Sequence, residues 1–399
     1  MIRITERVKG IEYAIRDVLV AAKEVEKKGK KVLYFNIGDP VAYGFDTPDY
    51  AKRALFEATN KGFNGYADSQ GVLPLREAVC EREKRLNGID LTPEDVMVTS
   101  GTAEAINFLL GALIEPGDEL LLPGPSYPQY LSVTQFYGGK AVTYRHIEEE
   151  GWRPDIDNLR KKISKRTRAI VLINPNNPTG AHLNEKQVKE LVDIAAENKL
   201  LLVSDEIYDL LVYDEKSVST AAIAKDVPVL VSNGVSKIYI APGWRIGWMY
   251  FHHTRGELNE LKDSLMRVAR IRLSANQPCQ HAAAAALRGP QDHIPKFVNE
   301  LRKRRDAIVK RVNEIPGLSC VTPQGAFYIF PKVAIDGKRW KNDKDFVLDL
   351  VKETGVLFVY GSGFDVTYGS NHFRAVTLPP VDMITEAMDK VDKYMRQKK

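Results

Sequence analysis

No run of the 399-residue chain approaches the ~18 consecutive apolar residues that a membrane-spanning helix needs. The opening MIRITERVKG lacks the apolar core of a secretory signal. Cysteine is scarce: Cys80, Cys279 and Cys320 stand far apart. They suggest neither a disulfide framework nor a metal cluster, so a reducing cytoplasm is the expected location. A dinucleotide fingerprint is also missing. The Gly-Ser-Gly at 361–363 continues as Phe-Asp-Val-Thr and opens no helix, which argues against a nicotinamide oxidoreductase. Internal repeats, low-complexity stretches and long linkers are absent too. The net charge of +5 raises nucleic acid as a partner. The basic runs at 27–31 and 161–166 are broken by other residue types and read as solvated helix faces, so no nucleic-acid partner is expected.

What is present is a chain long enough for two or three domains at roughly 100–200 residues each. Its 44% hydrophobic content supplies a large core. In the middle of the chain, apolar runs at 96–100, 119–122, 169–173, 200–203, 229–232 and 246–251 alternate with helical spacing at 103–114 and 185–198. That alternation predicts an α/β domain with a mostly parallel sheet, whose ligands bind at the carboxyl ends of the strands. From about residue 290 the pattern changes to a long charged helix through about 314. Short apolar runs at 318–321, 326–330, 356–359 and 373–377 follow, with a helix near 343–353 and a terminal helix. The expected division is a large domain over 46–290 and a smaller α+β domain from 291–399 joined by 1–45.

Four short segments carry the chemical signal. They are Asn174-Pro-Asn-Asn177-Pro-Thr-Gly180, Ser204-Asp205-Glu206-Ile207-Tyr208, Ser236-Lys237 and Gly243-Trp-Arg245-Ile-Gly247. Alone, each has a bland reading: Asn-Pro turns are common, a lysine after a strand is usually solvated, and Asp205 would serve as a helix N-cap. In this order and spacing they closely resemble the class I aminotransferases, pyridoxal-phosphate enzymes of fold type I. The resemblance runs over essentially the whole chain.

The resemblance implies a role for each matching residue. Lys237 would hold pyridoxal 5'-phosphate as a Schiff base (an aldimine) and later move the substrate proton. Burial and nearby cations suit a lysine to this by leaving a neutral amine. Asp205 would keep the pyridine nitrogen protonated, while Tyr208 and Asn177 would bond the ring's phenolic oxygen. Gly101, Thr102 and Ala103, between a strand and a helix, would offer N–H groups to the phosphate, and Arg245 would add a charge-assisted pair. Tyr127 matches the ring-stacking position, and Tyr66 a tyrosine that reaches the other subunit's phosphate, so a homodimer with shared sites is expected. Many members carry serine three residues before the lysine. Here that position is Gly234, which leaves Ser236 as a candidate for the missing hydroxyl. Arg374 matches the α-carboxylate arginine, a task for which guanidinium geometry is suited. Gly38 and Asn177 would contact the same carboxylate.

Segments such as Tyr13-Ala-Ile-Arg16, Asn36-Ile-Gly-Asp-Pro40, Arg272-Leu-Ser-Ala-Asn276, Gly325-Ala-Phe-Tyr-Ile-Phe-Pro331 and Phe373-Arg-Ala-Val-Thr-Leu-Pro379 are most similar to the alanine (glutamate–pyruvate) branch. That branch implies amino transfer between L-alanine and 2-oxoglutarate. Tyr13 and Arg16 become candidates for substrate recognition, with Arg272 a rival to Arg16. The alternatives are a broad aspartate or aromatic aminotransferase, a carbon–sulfur lyase on the same fold, and the effector-sensing part of a transcription regulator. The last would need a DNA-binding domain ahead of a resemblance that already begins within the first ~13 residues. No metal and no membrane partner are expected.

Overall fold

The computed structural model describes residues 2, 4–253 and 256–396; the outermost ends of the expected small domain lie outside the described residues. Its frame is an eight-stranded sheet. In spatial order the strands are Val96–Thr99, Gly247–His252, Val229–Gly234, Leu201–Asp205, Thr167–Ile173, Glu119–Gly124, Lys140–Ile147 and Arg153–Pro154. The run from Val229–Gly234 to Lys140–Ile147 is parallel throughout. Gly247–His252 is antiparallel to both its neighbours, so Val96–Thr99 points the same way as the parallel run. Apart from exposed Arg168 the central strands are buried, and they are apolar up to the polar residues at their carboxyl ends, as a sheet covered on both faces requires. Apolar side chains alternate between two clusters, one on each face: Ile170 and Leu172 join one, Ala169 and Val171 the other.

Local chemistry fixes the ends of these elements. Asn184 accepts from Gln187 N while the Gln187 side chain returns to Asn184 N, a reciprocal cap that starts the helix Glu185–Asn198. The helix Thr102–Leu113 follows Gly101, whose φ of 80° sets the turn out of the strand Val96–Thr99.

The remaining strands are short. Leu33–Tyr34 pairs with Val356–Leu357, tying the N-terminal stretch to the C-terminal part of the chain. Phe373–Val376 pairs with both Tyr328–Ile329 and Val359–Tyr360. The long helix His293–Glu314 packs against the terminal helix Val381–Arg396. Several boundaries differ from those read in the sequence. The apolar run 326–330 is a strand only at Tyr328–Ile329, because Ala326 takes a left-handed φ of 53°. Val356–Val359 divides into two short strands with different partners. The strand Lys140–Ile147 has no counterpart in the sequence reading. It lies second from the sheet edge, and only Tyr144 and His146 on it are fully buried, so no clean apolar run marks it.

Candidate active site

The carboxyl ends of the parallel strands, with that of Val96–Thr99, open on a cavity of about 500 Å³. Five of these strand ends, all but that of Lys140–Ile147, each deliver one candidate side chain: Thr102, Tyr127, Asn177, Asp205 and Lys237 all line it. Arg374 comes from the small strand Phe373–Val376, and Tyr13 and Arg16 from the start of the helix Ala14–Lys27.

Lys237 follows the strand Val229–Gly234, and its Nζ donates to the Gly38 carbonyl at 2.7 Å. Burial pushes its pKa down to about 8; Asp39 opposes this, and the charges of Arg374 and Arg245 add to it. At neutral pH a useful fraction of the amine is therefore uncharged. Asp205 ends its strand with 3% exposure. Its oxygens accept from Ile207 N and the Tyr130 hydroxyl, both at 3.3 Å, and it has no cationic partner among the described residues. Burial raises its pKa to about 6. A carboxylate held this way is completed by a cation placed in the cavity.

Arg374 has the complementary need. It is 1% exposed, and no carboxylate pairs with it among the described residues. Nη1 donates to Asn177 Oδ1 at 2.8 Å, Nη2 to the Asn36 carbonyl, and buried Nε has no partner. Its guanidinium lies over the rings of Tyr328 at 4.5 Å and Phe364 at 4.8 Å. Asn177 is fixed by its turn: Asn174 Oδ1 accepts from Leu183 N at 2.8 Å, and Asn176 Oδ1 from the Thr179 hydroxyl at 3.0 Å.

At the other end of the cavity, Thr102 and Ala103 form the first turn of the helix Thr102–Leu113 and direct its N-terminal dipole inward. Exposed Arg245 reaches over them, donating to the carbonyls of Pro242 at 2.9 Å and Ser100 at 3.3 Å. A Cβ on Gly101 would lie 2.4 Å from the Arg245 guanidinium, so glycine is what lets the two approach. Ser236 is buried and lines the cavity; Tyr127 closes one side, its hydroxyl 3.0 Å from that of Tyr13.

Two expected residues stand elsewhere. Tyr66 is 84% exposed and does not reach this cavity within its own chain. Arg272 is committed away from the cavity lining, with Nη1 on Glu104 at 2.7 Å and Nη2 on the Ser69 carbonyl at 2.9 Å. Three other polar residues lining or flanking the cavity carry no role in the sequence reading: Tyr328, Asp39 and Tyr130. Tyr130 had a usable signal. It stands three residues after Tyr127 on the helix Pro128–Phe136, a spacing that puts both on one face.

The donor set fits pyridoxal phosphate: a buried carboxylate without a cation, an amine of depressed pKa, and a helix N-terminus with an arginine. The fold and this site define a class: the chain belongs to the class I and II aminotransferases, whose family model matches residues 30–391, and these are pyridoxal-phosphate enzymes of fold type I. Among relatives, it is 39% identical to the glutamate-pyruvate aminotransferase AlaA of Escherichia coli K12, across 98% of this chain and 97% of that protein. It is 38% identical to the alanine aminotransferase of Mycobacterium tuberculosis H37Rv, across 98% and 91% of the two chains. The solved alanine aminotransferase from Pyrococcus furiosus superposes with a TM-score of 0.97 at 53% identity, covering 99% of this chain and 100% of that one.

Proposed function

We propose that this enzyme transfers an amino group between L-alanine and 2-oxoglutarate, giving pyruvate and L-glutamate, with Lys237 as the residue that carries the cofactor. The observation that carries the reading is the buried, carboxylate-free Arg374 facing the same cavity as Lys237. A carboxylate-bearing substrate neutralises that charge, and its α-carbon then lies toward the lysine. The names of the relatives from Escherichia coli, Mycobacterium tuberculosis and Pyrococcus furiosus support alanine as the amino donor.

Bound in this cavity, pyridoxal phosphate supplies an electron sink conjugated to the substrate nitrogen. The chain's residues do the rest. Neutral Lys237 Nζ would take the proton from the substrate α-carbon and pass it to the cofactor carbon joined to the substrate nitrogen, and would carry it in the reverse direction in the second half-reaction. Asp205 would hold a proton on the ring nitrogen. Tyr208 and Asn177 would donate toward the ring oxygen, and Tyr127 would lie against the ring. Thr102 and Ala103 N–H groups, Arg245 and Ser236 would hold the phosphate. Arg374, with Asn177 and Gly38 beside it, fixes the α-carboxylate. Tyr13 and Arg16 meet the substrate side chain.

The same reading makes the protein a cytoplasmic homodimer, with Tyr66 completing the partner's site. The exposure of Tyr66, Phe56, Leu73 and Ile271 supports a further surface to be covered. It divides the chain into a large domain over 46–290 and a smaller one of 1–45 plus 291–399, which the pairing of Leu33–Tyr34 with Val356–Leu357 supports. The test is ¹⁵N transfer. Purified holoenzyme given ¹⁵N-alanine and 2-oxoglutarate yields ¹⁵N-glutamate and pyruvate, faster than ¹⁵N-aspartate or ¹⁵N-phenylalanine yields labelled glutamate. Faster transfer from aspartate or phenylalanine makes the enzyme an aspartate or aromatic aminotransferase instead.

A further inference from the structure

A second phenol stands behind Tyr208. The Tyr328 hydroxyl lies 2.7 Å from that of Tyr208, with the rings 85° apart and both buried. Tyr328 also lines the cavity and lies under the Arg374 guanidinium. Gly38 makes room for it: a Cβ at that position would come 2.4 Å from the Tyr328 hydroxyl. The Gly38 carbonyl in turn accepts from Lys237. Lys237, Gly38, Tyr328 and Tyr208 thus form one wall of the cavity, each in contact with the next.

A phenol has one proton to donate and an oxygen that can also accept. If Tyr208 donates to Tyr328, its proton is turned into the wall. If Tyr328 donates to Tyr208, the Tyr208 proton is free to point into the cavity, and it is the stronger donor for already accepting. An anionic acceptor in the cavity selects the second arrangement. The guanidinium over the Tyr328 ring favours it as well, since a nearby cation makes a phenol the readier donor.

We propose that Tyr328 is a positioning residue for the reaction: its hydroxyl donates to Tyr208 and so directs the single Tyr208 proton at the cofactor's ring oxygen, while its ring holds Arg374 in plane. This rests on the cofactor placement above and not on which amino acid is the substrate.

The test uses substrate-free holoenzyme, whose visible absorbance is titrated with pH. Hydrogen bonding to an anionic ring oxygen stabilises the deprotonated chromophore, so weakening it raises the midpoint. Tyr328→Phe removes one oxygen and keeps the ring. It raises the midpoint by roughly half a unit to one unit. Tyr208→Phe raises it further, and adding Tyr328→Phe to Tyr208→Phe changes nothing more. The KM for the amino acid rises much more in Tyr328→Leu, which leaves Arg374 without its ring, than in Tyr328→Phe. Thermal midpoints confirm that each variant is folded. A midpoint unmoved by Tyr328→Phe, with Tyr208→Phe still shifting it, overturns the relay alone. An equal shift in the Tyr208→Phe background overturns it too. A midpoint unmoved by Tyr208→Phe removes both the relay and the placement of Tyr208 at the ring.

Discussion

Arg374 Nη1 and Asn177 Oδ1 lie 2.8 Å apart, joining the small strand Phe373–Val376 to the turn after Thr167–Ile173. No carboxylate pairs with Arg374 among the described residues, and its bonds to Asn177 and the Asn36 carbonyl orient the guanidinium before a substrate arrives. Arg374→Lys keeps the charge and loses the planar two-point contact. The account predicts a fall in kcat/KM of roughly 100-fold, from about 3 kcal/mol of lost charge-assisted hydrogen bonding. Most of the fall is in KM, and steady-state kinetics with alanine and with glutamate check it. Equal KM values for variant and parent remove Arg374 from the carboxylate site.

Asp205 is buried in the cavity at the expense of stability. Its pKa rises from the ordinary 3.8 in the unfolded chain to about 6 in the fold, because it is buried without a cation. The folded state therefore binds the extra proton. The associated stability is present below pH ~4 and is lost as pH rises through about 6, at a cost of about 3 kcal/mol at most. Asp205→Asn in cofactor-free protein is thus more stable than the parent at pH 8. The advantage vanishes below pH ~4. Turnover of the loaded variant falls by more than 100-fold, since an amide cannot hold a proton on the ring nitrogen as a carboxylate does. Denaturant unfolding at the two pH values measures the stability arm. A parent more stable than the variant at pH 8 contradicts it.

Arg16 lines the cavity, is exposed and has no ion-pair partner among the described residues. Arg272, the rival, is already bound to Glu104. A hydrated arginine can pair with the second carboxylate of glutamate and stay in water when alanine binds, which avoids an unpaired buried charge costing about 3–5 kcal/mol. Arg16→Ala raises KM for glutamate and 2-oxoglutarate several-fold and leaves alanine and pyruvate nearly unchanged. Parallel losses for both substrate pairs would falsify this role.

Exposed Tyr66 predicts complementation between subunits. Tyr66 and Lys237 variants, each inactive alone, regain part of the parent activity when unfolded and refolded together, because hybrid dimers contain one intact site. Hybrids that form, as shown by mixed-tag capture, yet stay inactive exclude a shared site.

Most of the cavity lining was legible because five strand ends each carry a candidate residue within a short motif. Asn177, Asp205 and Lys237 stand within about four residues of a strand terminus, where an α/β sheet gathers its ligands. The helix Glu185–Asn198 had its observed bounds in the sequence, since amphipathic spacing and a capping residue agree there. What escaped depends on contacts between distant segments. Tyr130 meets Asp205 across 75 residues, and Tyr328 meets Tyr208 across 120. Tertiary packing, not the local pattern, brings these together: Tyr328 comes from a separate three-stranded sheet. The buried network behind the site was equally hidden. Arg82 bonds Glu83 and Asp209, and Asp209 also accepts from Asn233 at 3.0 Å, bracing the turns that carry Tyr208 and Lys237. Charged residues on a helix ordinarily signal solvent; here they are buried because they neutralise one another.

The central claim is that Lys237 carries the cofactor, and borohydride reduction tests it most directly. Reduction of the yellow holoenzyme makes the link between lysine and cofactor permanent, and proteolysis with mass spectrometry then locates it. The account predicts one labelled peptide per chain, spanning the segment around Ser236-Lys237, and no covalent label in Lys237→Ala. A label on any other lysine, or label retained in Lys237→Ala after reduction, contradicts it.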